Sequence, residues 1–171
     1  MSLVKKIAAG LLLLVITASL RAQVTPDSAQ LKNVKGVTVS FSSLSQKAPL
    51  TLVCFWSMNS ETSINELNAI SAQYEKWKQA AVFTMLAVSV DEGVTPARLR
   101  GIANMNTWAF EVFSDFRGDL HQALNVGNLP QAMVLQGGQV VYQQSGFGAG
   151  SEHWLISKIQ ALSPAPGTHK K

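Results

Sequence analysis

The chain has 171 residues, 47% of them hydrophobic and 14% charged, with a formal charge of +4. That length fits one domain plus a leader, and the composition excludes an intrinsically disordered chain. Lys5, Lys6 and Arg21 all precede the first acid, Asp27, and without them the charge falls to +1. A mature protein so nearly neutral is not a basic nucleic-acid binder.

Residues 1–22 read as a signal peptide. Lys5 and Lys6 form a basic start, and residues 7–20 are an apolar run broken only by Gly10, Thr17 and Ser19. A membrane span needs about 20 apolar residues, so the run suits a signal core better. Cleavage is expected after Ala22, with bulky Leu20 at the third position back; a retained leader would act as an anchor. No cysteine follows the run to accept a bacterial lipid anchor. The expectation is export to the periplasm, with no membrane span in the mature chain. Export places a chain where disulfides form. Cys54 is the only cysteine, so no internal disulfide exists and the core must hold by packing.

The elements follow in order. "VKGVTVSF" (34–41) has a strand-like pattern, and "SSLSQKAP" reads as a turn region. "LTLVCFW" (50–56) is a short continuous apolar run, as expected of a central strand covered on both faces. A helix is expected over 63–78, because Ile64, Leu67, Ile70, Tyr74 and Trp77 recur at spacings of three and four. "VFTMLAVSVD" is a second buried strand. Thr95 and Pro96 mark an N-cap and first helical position for "TPARLRGIANM". "AFEVFSD" reads as a short strand and "RGDLHQAL" as a short helix. After Leu129-Pro130 come a strand "AMVLQ", a Gly137-Gly138 turn, a strand "QVVYQQS" and a closing helix "GSEHWLISKIQAL". Strands alternating with helices, then a hairpin and a terminal helix, predict one α/β domain over 23–162. Residues 163–171 read as a disordered tail.

Three groups of residues bear on chemistry. Ser63-x-x-Glu66 matches a capping box, in which hydroxyl and carboxylate each satisfy a free N–H of the helix start. Cys54 lies within a strand and reads as a core residue; the alternative is a redox or peroxidatic thiol. His121, His153 and His169 have no metal-ligand spacing and read as surface residues, so no metal and no cofactor is expected.

The order of elements and several local strings resemble the thioredoxin-like fold. The closer resemblance is to the exported TlpA/ResA-like thiol-disulfide oxidoreductases, over 34–162. Phe55-Trp56 matches the pair that ends the central strand in that family, and Glu66-Leu67 matches its helix. "MLAVSVD", "FEVFSDFRGDLHQALNV" and "MVLQGGQVVY" resemble its second strand, its strand-helix insertion and its closing hairpin. The resemblance implies a three-layer domain with a central mixed sheet flanked by helices. It places Asn59 at the active-site tryptophan and Ser60 and Ser63 at the two catalytic cysteines. It places Glu66 at an acid near the dithiol, and Leu129-Pro130 at the cis-proline that faces it. Dithiol exchange needs two sulfur atoms, one to attack and one to resolve the mixed disulfide. The expectation is therefore a domain without that reaction. A groove formed by Trp56, Met58, Asn59, Ser60, Ser63, Leu129 and Pro130 would remain to bind a peptide or an exported protein partner. An oxidoreductase or peroxidase using Cys54 is the alternative.

Overall fold

The computed structural model describes residues 25–163. The expected signal peptide and all of the expected tail but Ser163 lie outside those residues. A seven-stranded mixed sheet forms the middle layer of a thioredoxin-like α/β fold. Its strands are β1 (Gln30–Asn33), β2 (Thr38–Ser40), β3 (Leu50–Trp56), β4 (Phe83–Ser89), β5 (Glu111–Ser114), β6 (Gln131–Gln136) and β7 (Gln139–Ser145), in the order β2-β1-β5-β4-β3-β6-β7. The helices are α1 (Phe41–Ser45), α2 (Glu61–Ala80), α3 (Pro96–Met105), α4 (Asp119–Ala123) and α5 (Ser151–Leu162).

β3, β4 and β5 run parallel, while β6 pairs antiparallel with β3 and β7 antiparallel with β6. All seven residues of β3 are buried. Because successive side chains of a strand point to opposite faces, β3 feeds two separate cores. Leu50, Leu52, Cys54 and Trp56 pack with Leu67 and Ile70 of α2, Leu99 of α3, and Leu155 and Ile159 of α5. Val53 and Phe55 pack with Phe41 and Leu44 of α1 and Leu120 of α4. The continuous apolar run is thus the signature of a strand covered on both sides.

The start of the chain departs from the expectation. Of the strand foreseen over 34–41 only Thr38–Ser40 is strand, as β2; the residues before it form the turn from β1, with Gly36 at φ +84°, and Phe41 opens α1. Asn33 Oδ1 accepts the N–H groups of Lys35 and Val37 at 2.9 and 3.0 Å and holds that turn. The foreseen turn region contains α1, which Ser40 caps by accepting Ser43 N–H at 3.3 Å. α3 starts as foreseen, with Pro96 in its first turn and Thr95 Oγ1 accepting Arg98 N–H at 3.3 Å. Ser163 belongs to the domain rather than to a tail: it ends α5, and its Oγ accepts Val82 N–H at 3.1 Å. Among the described residues no helix is long and apolar enough to cross a membrane.

Ile70 is fully buried at the centre of the α2–sheet contact. Ile70→Ala is expected to cost about 2–5 kcal/mol. Urea unfolding should show a lowered midpoint with an unchanged slope.

Candidate functional site

The residues following β3 build a helix cap. α2 begins at Glu61, and Ser60 is its N-cap, accepting Ser63 N–H at 3.2 Å through Oγ. Ser60 O accepts Ile64 N–H at 3.1 Å, the first full helical turn. The expected Ser63–Glu66 capping box does not form. The helix starts a turn before Ser63 is reached, so Ser63 and Glu66 both lie on its inner face and are buried. Glu61 is the acid left at the positive end of the helix dipole.

The loop before the cap is fastened from the neighbouring strand. Asp91, just past β4, accepts Ser57 Oγ–H at 2.6 Å, Met58 N–H at 2.9 Å and Ser89 Oγ–H at 2.7 Å. Ser57 Oγ accepts Asn59 N–H at 3.2 Å. The parallel register sets Trp56 opposite Ser89, which brings the ends of β3 and β4 together and makes this anchor possible. Asp91 was not singled out from the sequence. The signal was an acid directly after a buried strand, within the "SVD" string.

Beneath the cap lies a set of buried polar groups without partners. Glu66 is 1% exposed, and neither of its carboxylate oxygens has a hydrogen-bond partner. Burial raises its carboxyl to about 7, and the nearby Gln144 side chain pulls the other way without reaching good hydrogen-bond geometry. Ser63 Oγ and Trp56 Nε1 are also buried and unpartnered. Trp56 is fully buried, edge-on to Trp108 at 5.1 Å between ring centroids, so it supports the groove from below and does not line it. Cys54 is fully buried in the same layer. Burial pushes its thiol well up, and the charge of Glu66 adds to that. A thiol held protonated is a poor nucleophile.

The expected groove residues gather at one end of the sheet. The β3–β6 register pairs Phe55 with Gln131, so Leu129 and Pro130 stand beside the 57–60 loop. The Leu129–Pro130 bond is cis. Pro130 is buried and its carbonyl accepts Gly146 N–H at 2.8 Å, whereas Leu129 is half-buried. Met58 and Ser60 are half-buried and Asn59 is exposed. Met58, Asn59, Val94 and Arg98 border a cavity of about 190 Å³ next to the loop.

The histidines separate. His153 is exposed, and His169 lies outside the described residues. His121 is not a free surface residue: its Nδ1 lies 2.9 Å from Asp115 Oδ2, and that carboxylate is fully buried. The sequence hides this pair because its six-residue spacing crosses a strand end, a loop and the first turn of α4. Among the described residues no group of three or more His, Cys, Asp or Glu side chains could hold a metal.

The family model described as the AhpC/TSA family matches residues 22–145. This chain belongs to the AhpC/TSA family. A solution structure of an uncharacterised thioredoxin-like protein from Porphyromonas gingivalis is 31% identical, over 86% of this chain and 97% of that one, with a TM-score of 0.71. Two more distant structures share the fold. The bacterioferritin comigratory protein of Xanthomonas campestris, described for alkyl peroxide reduction, is 18% identical over 80% of this chain and 92% of its own, with a TM-score of 0.67. A putative thiol:disulfide interchange protein DsbE from Chlorobium tepidum is 20% identical over 81% and 96%, with a TM-score of 0.65. No curated protein sequence matches the chain. The chain has one cysteine, Cys54, and it is buried.

Two predictions follow from the cap and the acid beneath it. Ser60→Ala removes the cap acceptor and is expected to cost about 1 kcal/mol in chemical denaturation. Glu66 binds its proton more tightly in the folded chain than in the unfolded one, where its value is 4.5. Between those values the folded state holds more protons, so stability falls as pH rises from about 4.5 to 7, by about 3 kcal/mol in all. Glu66→Gln should flatten that slope in thermal melts taken across the window.

Proposed function

We propose that this chain is an exported member of the TlpA/ResA-like branch that has lost thiol-disulfide exchange. In this reading it binds an extended peptide or protein segment across the 58–63 loop and Leu129. The observation that carries the first half is the Ser60 cap. At the start of α2, where the resemblance puts a dithiol, Ser60 Oγ is engaged with Ser63 N–H at 3.2 Å and Ser63 Oγ is buried. A helix N-terminus can lower a cysteine pKa from about 8.5 to roughly 3.5–7.5. The same field does not ionise a serine hydroxyl at neutral pH, and oxygen cannot form the mixed disulfide that exchange requires.

The second half rests on backbone. Leu129 precedes a cis-proline beside the loop, and no hydrogen bond of its N–H or carbonyl occurs among the described residues. Strand-like pairing with a partner segment uses those groups and needs no sulfur. Met58 and Leu129, both half-buried, supply apolar surface on either side. Cys54 could serve a redox reading only if the sheet opened, since it sits in the middle of β3 and is fully buried.

Insulin reduction with dithiothreitol should show no rate above background, and any excess that Cys54→Ser abolishes would overturn the loss of exchange. Capture of partners from an exported-protein fraction should weaken when Asn59 is replaced by Trp. Unchanged capture would exclude the groove. Ser60→Cys combined with Ser63→Cys should close a disulfide under mild oxidant. A pair that stays reduced while the fold is intact would show that these positions do not correspond to the dithiol.

A further inference from the structure

A second polar cluster lies on the far side of the 91–93 segment from Met58 and Asn59, at the carboxyl ends of β4 and β5. Ligands of open α/β sheets gather at the carboxyl ends of parallel strands. Here residues 90–93, residues 115–118 and the first turn of α4 enclose a cavity of about 330 Å³. Arg117, His121, Gln122 and Glu92 lie on its wall.

Asp115 organises the cluster from inside. Its Oδ1 accepts Leu120 N–H at 3.3 Å, and its Oδ2 accepts His121 N–H at 2.8 Å and lies 2.9 Å from His121 Nδ1. An ionised carboxylate has no hydrogen to give, so Nδ1 carries the proton of that bond. The other ring nitrogen, Nε2, is left for the cavity, and the ring is 31% exposed. Gly118 lets the ring lie where it does. Its φ is +74°, and a Cβ there would stand 2.9 Å from His121 Cε1 and 3.1 Å from Gln122 Nε2. The guanidinium carbon of Arg117 lies 5.7 Å from the ring centroid of Phe116, another wall residue.

The charges select the ligand. The acceptors of Asp115 are occupied by three N–H groups. That leaves Arg117 as a permanent cation, His121 Nε2 as a donor once protonated, the Gln122 amide, and Glu92 as the remaining acid. A guanidinium matches the two oxygens of a carboxylate in a planar, bidentate way. A phosphate brings up to two charges on one group toward Glu92, whereas each carboxylate brings one. We propose that this cavity is a carboxylate-binding site, with Arg117 and His121 holding the anion and Asp115 positioning His121. The carboxylate can come from a free organic acid or from a peptide terminus; the recognition chemistry is the same.

NMR titration of the purified protein with acetate, succinate and inorganic phosphate tests this. Acetate and succinate should shift the His121 Cε1–H and Arg117 Nε–H resonances along saturable curves. His121→Gln and Arg117→Ala should each weaken binding roughly fivefold or more, as loss of one charge-assisted contact would. Arg117 is exposed and its replacement keeps the fold in hand, while His121→Gln retains the backbone bond to Asp115. Competition by a peptide with a free C-terminus but not by its amide would assign the source to peptides; competition by neither would assign it to free acids. Linear shifts, shifts unaffected by either replacement, or phosphate binding more tightly than succinate would overturn the proposal. The readout does not involve Leu129 or the 58–63 loop, so it stands or falls apart from partner binding there.

Discussion

The burial of β3 on both faces and both edges governs the rest of the molecule. Its side chains divide between two cores, with Cys54 and Trp56 under α2 and Val53 and Phe55 facing α1 and α4. β4 pairs along one edge and β6 along the other. A slip of one residue would send every side chain to the wrong core. The end of the strand is therefore fixed in space, and with it the place where α2 starts. No disulfide assists, since the chain has one thiol.

From that fixed end the site is built by short-range hydrogen bonds. Asp91 ties down Ser57 and Met58, and Ser60 closes the first turn of α2. What the redoxin scaffold offers at this place is a helix start with free N–H groups and a neighbouring cis-proline. A thiol uses that field to ionise. Here Ser60 Oγ accepts the Ser63 N–H, which stabilises the helix start. In the proposed reading, oxygen at these positions leaves the scaffold without the exchange reaction. The buried Glu66 below it, its carboxyl pushed up to about 7, is the part that a purely structural cap does not require.

Most of the architecture could be read from the residues because it rests on pattern. The apolar run of β3, the periodic face of α2 and the Thr95-Pro96 start of α3 each signal one structure. What escaped was set by contacts distant in sequence or by a competing start signal. Ser60 and Ser63 are both plausible caps, and the choice falls to Ser60 because burying the apolar face of α2 requires the helix to begin earlier. Trp56 was expected at a groove because it ends a strand; strand alternation turns it inward against Trp108. The Asp91 anchor needs the sheet to bring strand ends together, and the Asp115–His121 pair needs α4 to fold back over the end of β5. The turn in the first half of the foreseen strand was hidden because Asn33, which holds it, acts through its side chain on residues after it.

The placement of Cys54 gives the molecule a built-in gauge of its own opening. Its sulfur sits in the middle of the central strand, fully covered, and no other cysteine competes with it. A thiol reagent can reach it only after β3 is uncovered, so its labelling rate reports the parting of the sheet rather than the fraying of loops or ends. An alkylating probe would thus time the whole-domain excursion directly, in a wild-type chain with no engineered label.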